Sequence, residues 1–183
     1  KRPRLLFLAD KEEIGSIGLS SAQSDFIPLV LQQIGQLSGE KNLNLTELFF
    51  ASRGISADVH TLLDPTFGQV MDPDNTGLVN CGIVLNKYNG GRGKGMGLEV
   101  DAEFMGQVRN LLNKHRVIWQ TGTLGKVDEG GGGTISQYLA HRGVRVIDAG
   151  IGVFSMHSPY ELISKVDLFS MFEAYQVFLE KIE

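Results

Sequence analysis

The feature that most restricts the fold is an alternation of short apolar runs with longer amphipathic stretches. Leu5–Ala9, Leu78–Leu85, Val117–Gln120, Val144–Ile147 and Val153–His157 are apolar runs of strand length, the second interrupted at Gly82. Gly54–His60 reads as a further strand running into a loop. Between them, apolar residues recur at helical spacing. Ser24 or Asp25 can cap a helix with Phe26, Val30, Ile34 and Leu37 on its apolar face and Pro28 in its first turn. Asn44–Ala51 is a shorter helix. Val100, Phe104, Val108, Leu111 and Leu112 share one face of a helix over Glu99–Asn113. Thr134–Ala140 forms a helix entered from a glycine run. The last helix carries Leu168, Met171, Phe172, Tyr175, Phe178 and Leu179. Strands alternating with helices predict an α/β domain, and no repeat or low-complexity linker suggests a second one.

Composition excludes several classes. Acids outnumber bases, 21 against 17, for a net charge of −4, so no basic excess recruits nucleic acid. No apolar run reaches the roughly 18–20 residues that span a bilayer. The single cysteine, Cys81, has no partner within the chain, which favours a reducing, cytoplasmic compartment. Glycine stands out: 23 of 183 residues is about 13%, against an average near 7%.

Many of those glycines fall in two stretches. Gly90-Gly91-Arg92-Gly93-Lys94-Gly95-Met96-Gly97 is not a Walker A loop, because Gly95 follows Lys94 and Tyr88 occupies the place of the first glycine. It reads either as a surface hairpin with two solvated cations or as a loop near a substrate entrance. Asp128-Glu129-Gly130-Gly131-Gly132-Gly133-Thr134 leads into a helix. Glycines there let the backbone approach a ligand and aim free N–H groups at it. The two acids would repel phosphate, so a cation or a substrate ammonium fits better.

Asp10-Lys11-Glu12-Glu13-Ile14-Gly15 follows the first apolar run. Adjacent carboxylates raise each other's pKa unless a positive group offsets them. A divalent metal would do so: one carboxylate binds it, and the neighbour takes a proton from the metal-activated water. Asp58 and His60 follow the strand near Ser56, and His157 ends the late apolar run. Such distant residues form no compact zinc-finger motif. They would converge only where separate strands end on one edge of a sheet, as in a catalytic metal site. His115 and His141 close predicted helices, where a partial positive charge suits the C-terminus.

These motifs resemble the aspartyl aminopeptidase and vacuolar aminopeptidase I family of zinc metallopeptidases. The matching pieces, in family order, are Asp10–Ser16, Ser56-Ala57-Asp58, Trp119–Gly122, Gly125–Ile135 and Ser155–Leu162. The resemblance implies a mixed sheet flanked by helices with the zinc-exopeptidase (phosphorylase/hydrolase-like) architecture. It further implies two zinc ions, with Glu12 as general base and Glu13, Asp58 and His157 as metal ligands. Asp128, Glu129, Gly131 and Gly132 would shape the pocket for a peptide N-terminus, and the chain would assemble as a homo-oligomer, a dodecamer in the family.

The family pattern also includes a histidine ligand and a bridging aspartate before the Asp-x-Glu-Glu motif. Neither is among these 183 residues, so the expectation is the C-terminal portion of one catalytic domain, incomplete at the N-terminus. One zinc or none, with negligible peptidase activity, is expected of the chain by itself. Asp64 stands before Pro65 where the acidic-substrate branch has a histidine, which argues against a preference for acidic N-terminal residues. The alternative is a non-catalytic fragment or assembly module that keeps the fold.

Overall fold

The structure, a computed structural model, describes residues 2–40 and 42–182. Its strands are β1 (Arg53–Ser56), β2 (His60–Thr61), β3 (Ile83–Asn86), β4 (Trp119–Gly122), β5 (Arg145–Gly150), β6 (Gly152–Phe154) and β7 (Leu162–Ile163). Its helices are α1 (Phe26–Leu37), α2 (Leu45–Phe50), α3 (Ala102–Lys114), α4 (Ser136–His141) and α5 (Lys165–Lys181). One sheet runs β1-β5-β3-β4, parallel at β1/β5 and β3/β4 and antiparallel at β3/β5; a smaller one runs β2-β6-β7. The expected mixed α/β architecture is therefore present.

The larger sheet is covered on both faces, and β5 shows how. Alternate residues point opposite ways along a strand. Ile147 and Ala149 join Ile83, Leu85, Phe104, Val108, Leu112, Ala174 and Phe178 in a core roofed by α3 and α5. Val146 turns the other way, onto Ile27 of α1, Phe49 of α2 and Leu139 of α4. Burial on both sides explains the unbroken apolar run of β3, where Ile83, Val84 and Leu85 are fully buried.

Three expectations are corrected. Leu5–Ala9 is no strand. Its backbone pairs with neither edge of the larger sheet, Leu6 and Leu8 are about 80% exposed, and only Asp10 bridges, to Ser21. An apolar run becomes a strand only with a lateral partner. In α1, the inward face is Ile27, Leu31 and Gly35 rather than Phe26, Val30, Ile34 and Leu37. Gly35 faces inward because Leu43 packs 2.8 Å from where its Cβ would stand. In α5, Met171, Tyr175 and Phe178 pack on the core as expected, but the most buried stripe is Asp167, Ser170, Ala174 and Phe178, and Leu168, Phe172 and Leu179 are exposed. Polar residues can occupy that stripe because they are satisfied there: Asp167 accepts from Asn80 N and Gly82 N, and Ser170 Oγ donates to Ile118 O. The α3 helix begins later than expected, where Asp101 accepts from Phe104 N at 2.8 Å.

Candidate metal centre and substrate cleft

The Glu-Glu pair sits on a 3₁₀ turn, Glu12–Ile14, bracketed by left-handed residues, Lys11 at φ 65° and Gly15 at φ 96°. Ser16 N donates to Lys11 O and Gly15 N to Glu12 O, which closes the turn. Asp58 lies between β1 and β2, its Oδ1 accepting from Val59 N at 2.7 Å. Its carbonyl crosses β5 where a Cβ on Gly150 would stand. His157 does not end a strand as expected. β6 stops at Phe154, and Ser155 and His157 take φ of 56° and 65° in a turn that is held by His157 N donating to Glu161 Oε1.

The fold brings these residues together. Glu13 Oε1 lies 3.5 Å from His157 Nε2. Burial raises the pKa of Glu12, the charges of Asp58 and Glu13 raise it further, and His157 opposes them. Burial also raises the pKa of Asp58; the Val59 N–H opposes that, Asp148 and Glu13 add to it, and His157 lowers it. Three carboxylates, Glu12, Glu13 and Asp58, thus share one imidazole, with Asp148 behind Asp58, an imbalance that a cation would relieve. Among the described residues no three of these donors stand in ligating position at once. Oxygen donors together with one imidazole nitrogen are the set zinc accepts in hydrolytic sites.

A cleft of about 470 Å³ opens beside Glu12 and Glu13. One wall is Gly15 and Ser16, a second is Gly91, Gly95 and Met96, and a third is Gly133, Thr134, Gln137 and Tyr138. Both glycine stretches therefore border the cleft. They also interlock: Gly90 N donates to Gly132 O, Asp128 N donates to Arg92 O, and Asp128 pairs with Lys94. Lys94 is thus not a merely solvated cation, and Asp128 already holds a positive partner. Glu129 is exposed, and the cleft wall falls on Gly133 and Thr134 rather than on Gly131 and Gly132. Asp64 is occupied in capping the turn after it, accepting from Thr66 N at 2.8 Å.

Sequence reasoning passed over Asp148, which is 5% exposed on β5 and accepts from Asn89, Thr134 and Ser136. The signal was available: an acid ends the apolar run Val144–Ile147, as Asp10 ends the first one. His60, by contrast, is buried, with its ring against Gly122 of β4.

The family model of the aminopeptidase I zinc metalloproteases (M18) matches residues 1–179. The chain belongs to that family. It is similar to a probable M18 family aminopeptidase 1 of Borreliella afzelii, 43% identical over 97% of this chain and 39% of that protein. The crystal structure of an M18 family aminopeptidase from Thermotoga maritima superposes with a TM-score of 0.90 at 44% identity, covering 94% of this chain and 39% of that one. A Saccharomyces cerevisiae mApe1 dodecamer matches with a TM-score of 0.75 at 25% identity, covering 94% of this chain and 37% of that one. The M18 chain described here therefore spans about 39% of the length of the curated relatives it matches. Among its described residues no helix is long and apolar enough to cross a membrane.

Proposed function

We propose that the chain is the C-terminal portion of the catalytic domain of a zinc-dependent aminopeptidase that releases single residues from peptide N-termini. The observation that carries the reading is the Glu13–His157 contact at 3.5 Å beside Glu12 and Asp58, opening on a glycine-walled cleft in an M18 chain. Glu13, Asp58 and His157 would hold the metal. Zinc, when bound, supplies a Lewis acid that polarises the scissile carbonyl and acidifies water.

Glu12 is then the general base. It is half-buried, and its raised pKa suits a group that takes a proton and passes it to the leaving amine. The cleft walls of Gly91, Gly95 and Gly133 present backbone without side chains, which suits an extended peptide end. Asp128, Glu129, Gly131 and Gly132 would shape the pocket for the peptide end; the Asp128–Lys94 pair and the Gly90 N to Gly132 O bond, which fasten one glycine loop to the other, support this. A homo-oligomer agrees with the dodecamer of mApe1. The lone, exposed Cys81 suits the cytoplasm.

Two measurements test the reading. In the complete aminopeptidase, Glu12→Gln is expected to abolish release of N-terminal residues from short peptides while zinc per subunit stays unchanged. The 183-residue chain by itself is expected to show negligible release. Zinc-free complete protein without peptidase activity would replace the reading with that of an assembly module.

A further inference from the structure

The buried carboxylate of Asp148 is joined by side chains from two separate segments, one at the base of the glycine hairpin and one at the end of the second glycine stretch. Asn89 Nδ2 donates to Oδ2 at 2.5 Å, Ser136 Oγ to Oδ2 at 2.7 Å, and Thr134 Oγ1 to Oδ1 at 2.7 Å. Each of the three is itself buried. Charged acceptors make stronger hydrogen bonds than neutral ones, and burial away from water strengthens them further.

What these donors belong to gives the network its meaning. Asn89 closes the base of the glycine hairpin: its N donates to Leu98 O at 2.9 Å, and its Oδ1 accepts from Leu98 N at 2.8 Å. Thr134 lines the cleft and ends the second glycine stretch, and Ser136 begins α4. The stretches touch through the Gly90 N to Gly132 O bond, and a Cβ on Gly133 would overlap Met96 O. Glycine-rich backbone has little intrinsic preference for one conformation. The loops bond to each other directly, and the Asp148 carboxylate adds a buried anchor from outside them.

We infer that Asp148 is a positioning residue for the cleft: by binding Asn89, Thr134 and Ser136 together, it fixes the hairpin at Gly90–Gly97 and the loop at Gly130–Gly133 at one separation, and so sets the cleft width opposite Glu12 and Glu13. It sits on β5, in the centre of the larger sheet, so the loops inherit the rigidity of the most buried strands. The consequence for peptide binding rests on the aminopeptidase reading. The mechanical coupling does not.

Amide hydrogen exchange in the complete protein separates the two. Thr134→Val keeps the shape of threonine and removes the hydroxyl, whereas Thr134→Ser keeps the hydroxyl. Thr134→Val and Asp148→Asn are expected to speed exchange at residues 89–98 and 129–136 by at least roughly tenfold. Exchange in β3 and α5 should stay slow, and Thr134→Ser should restore loop protection. Loops that keep wild-type exchange in Thr134→Val would overturn the inference. So would exchange that rises equally in β3 and α5, since that marks general destabilisation. Should peptidase activity prove absent, the exchange result would still stand or fall on its own.

Discussion

Glu13 Oε1 and His157 Nε2 stand 3.5 Å apart, joining a 3₁₀ turn near one end of the chain to the turn after β6. No strand pairing links the two segments; each is presented by left-handed backbone, at Lys11 and at His157 itself. Both side chains are largely exposed, so their mutual attraction adds little to stability. Their effect is to place an oxygen and a nitrogen donor at one point beside Glu12.

If that point is a metal site, His157→Asn should lower zinc affinity at least roughly tenfold in the complete aminopeptidase. Asparagine tolerates the left-handed backbone required there, so the unfolding midpoint should barely move. Competition against a chromophoric chelator measures the affinity. Equal values for the two proteins would remove His157 from the ligand set.

Gly150 tests the position of Asp58. A Cβ at Gly150 would overlap the Asp58 carbonyl, so Gly150→Ala has to displace the segment between β1 and β2. A cost of about 1–3 kcal/mol in denaturant unfolding is expected, together with weaker zinc binding. Gly106→Ala is the control. It lies within α3 with no atom near the added methyl, and it should be neutral or stabilise by about 0.5–1 kcal/mol.

The sequence pattern carried the α/β order and the amphipathic face of α3 because those depend on local spacing, whereas the cap at Asp101 that starts α3 went unread. It misled where an inward position carries no apolar side chain. Gly35 turns α1 because Leu43 packs against it, and Asp167 turns α5 because two backbone N–H groups converge on it. Leu43 lies beyond the end of α1, and Asn80 and Gly82 lie far from α5 in sequence, so apolar periodicity misses both inward positions. Leu5–Ala9 misled for the complementary reason: strand propensity says nothing about whether a lateral partner is present. The acids at Glu12, Glu13 and Asp58 were legible because each follows an apolar run. Asp148 obeyed the same rule, but its partners come from two other segments, and spacing does not reveal those.

His60 predicts a pH dependence unconnected with catalysis. Its Nδ1 donates to Thr61 O at 2.7 Å, while Nε2 is buried without a hydrogen-bond partner among the described residues. Burial pushes its pKa down from 6.5 to about 4, against a small opposing effect of the Thr61 carbonyl. Between those values the unfolded chain binds the proton more readily than the folded one. The contribution is therefore complete above 6.5 and lost as pH falls toward 4, by up to about 3 kcal/mol. Urea midpoints of wild type and of the non-titrating His60→Gln, taken with chelator present from about pH 7 to about pH 4.5, should converge as pH falls. A constant difference would assign the acid sensitivity to other groups.

Asp167 predicts the largest stability loss outside the cleft. Its carboxylate, fully buried in the first turn of α5, accepts from Asn80 N at 2.8 Å and Gly82 N at 2.7 Å. Asn80 and Gly82 both take positive φ, at 63° and 87°, so the turn before β3 depends on an external anchor. Ser164, the α5 cap, reinforces it by donating to Asn80 Oδ1. Asp167→Ala would leave the buried Gly82 N–H and the part-buried Asn80 N–H without their acceptor and cost about 3 kcal/mol. Asp167→Asn keeps one acceptor and should cost less. Because Gly82 leads directly into β3, the loss should appear as a lower midpoint of the whole cooperative transition. An unchanged midpoint in Asp167→Ala would mean that the turn holds its shape without the carboxylate.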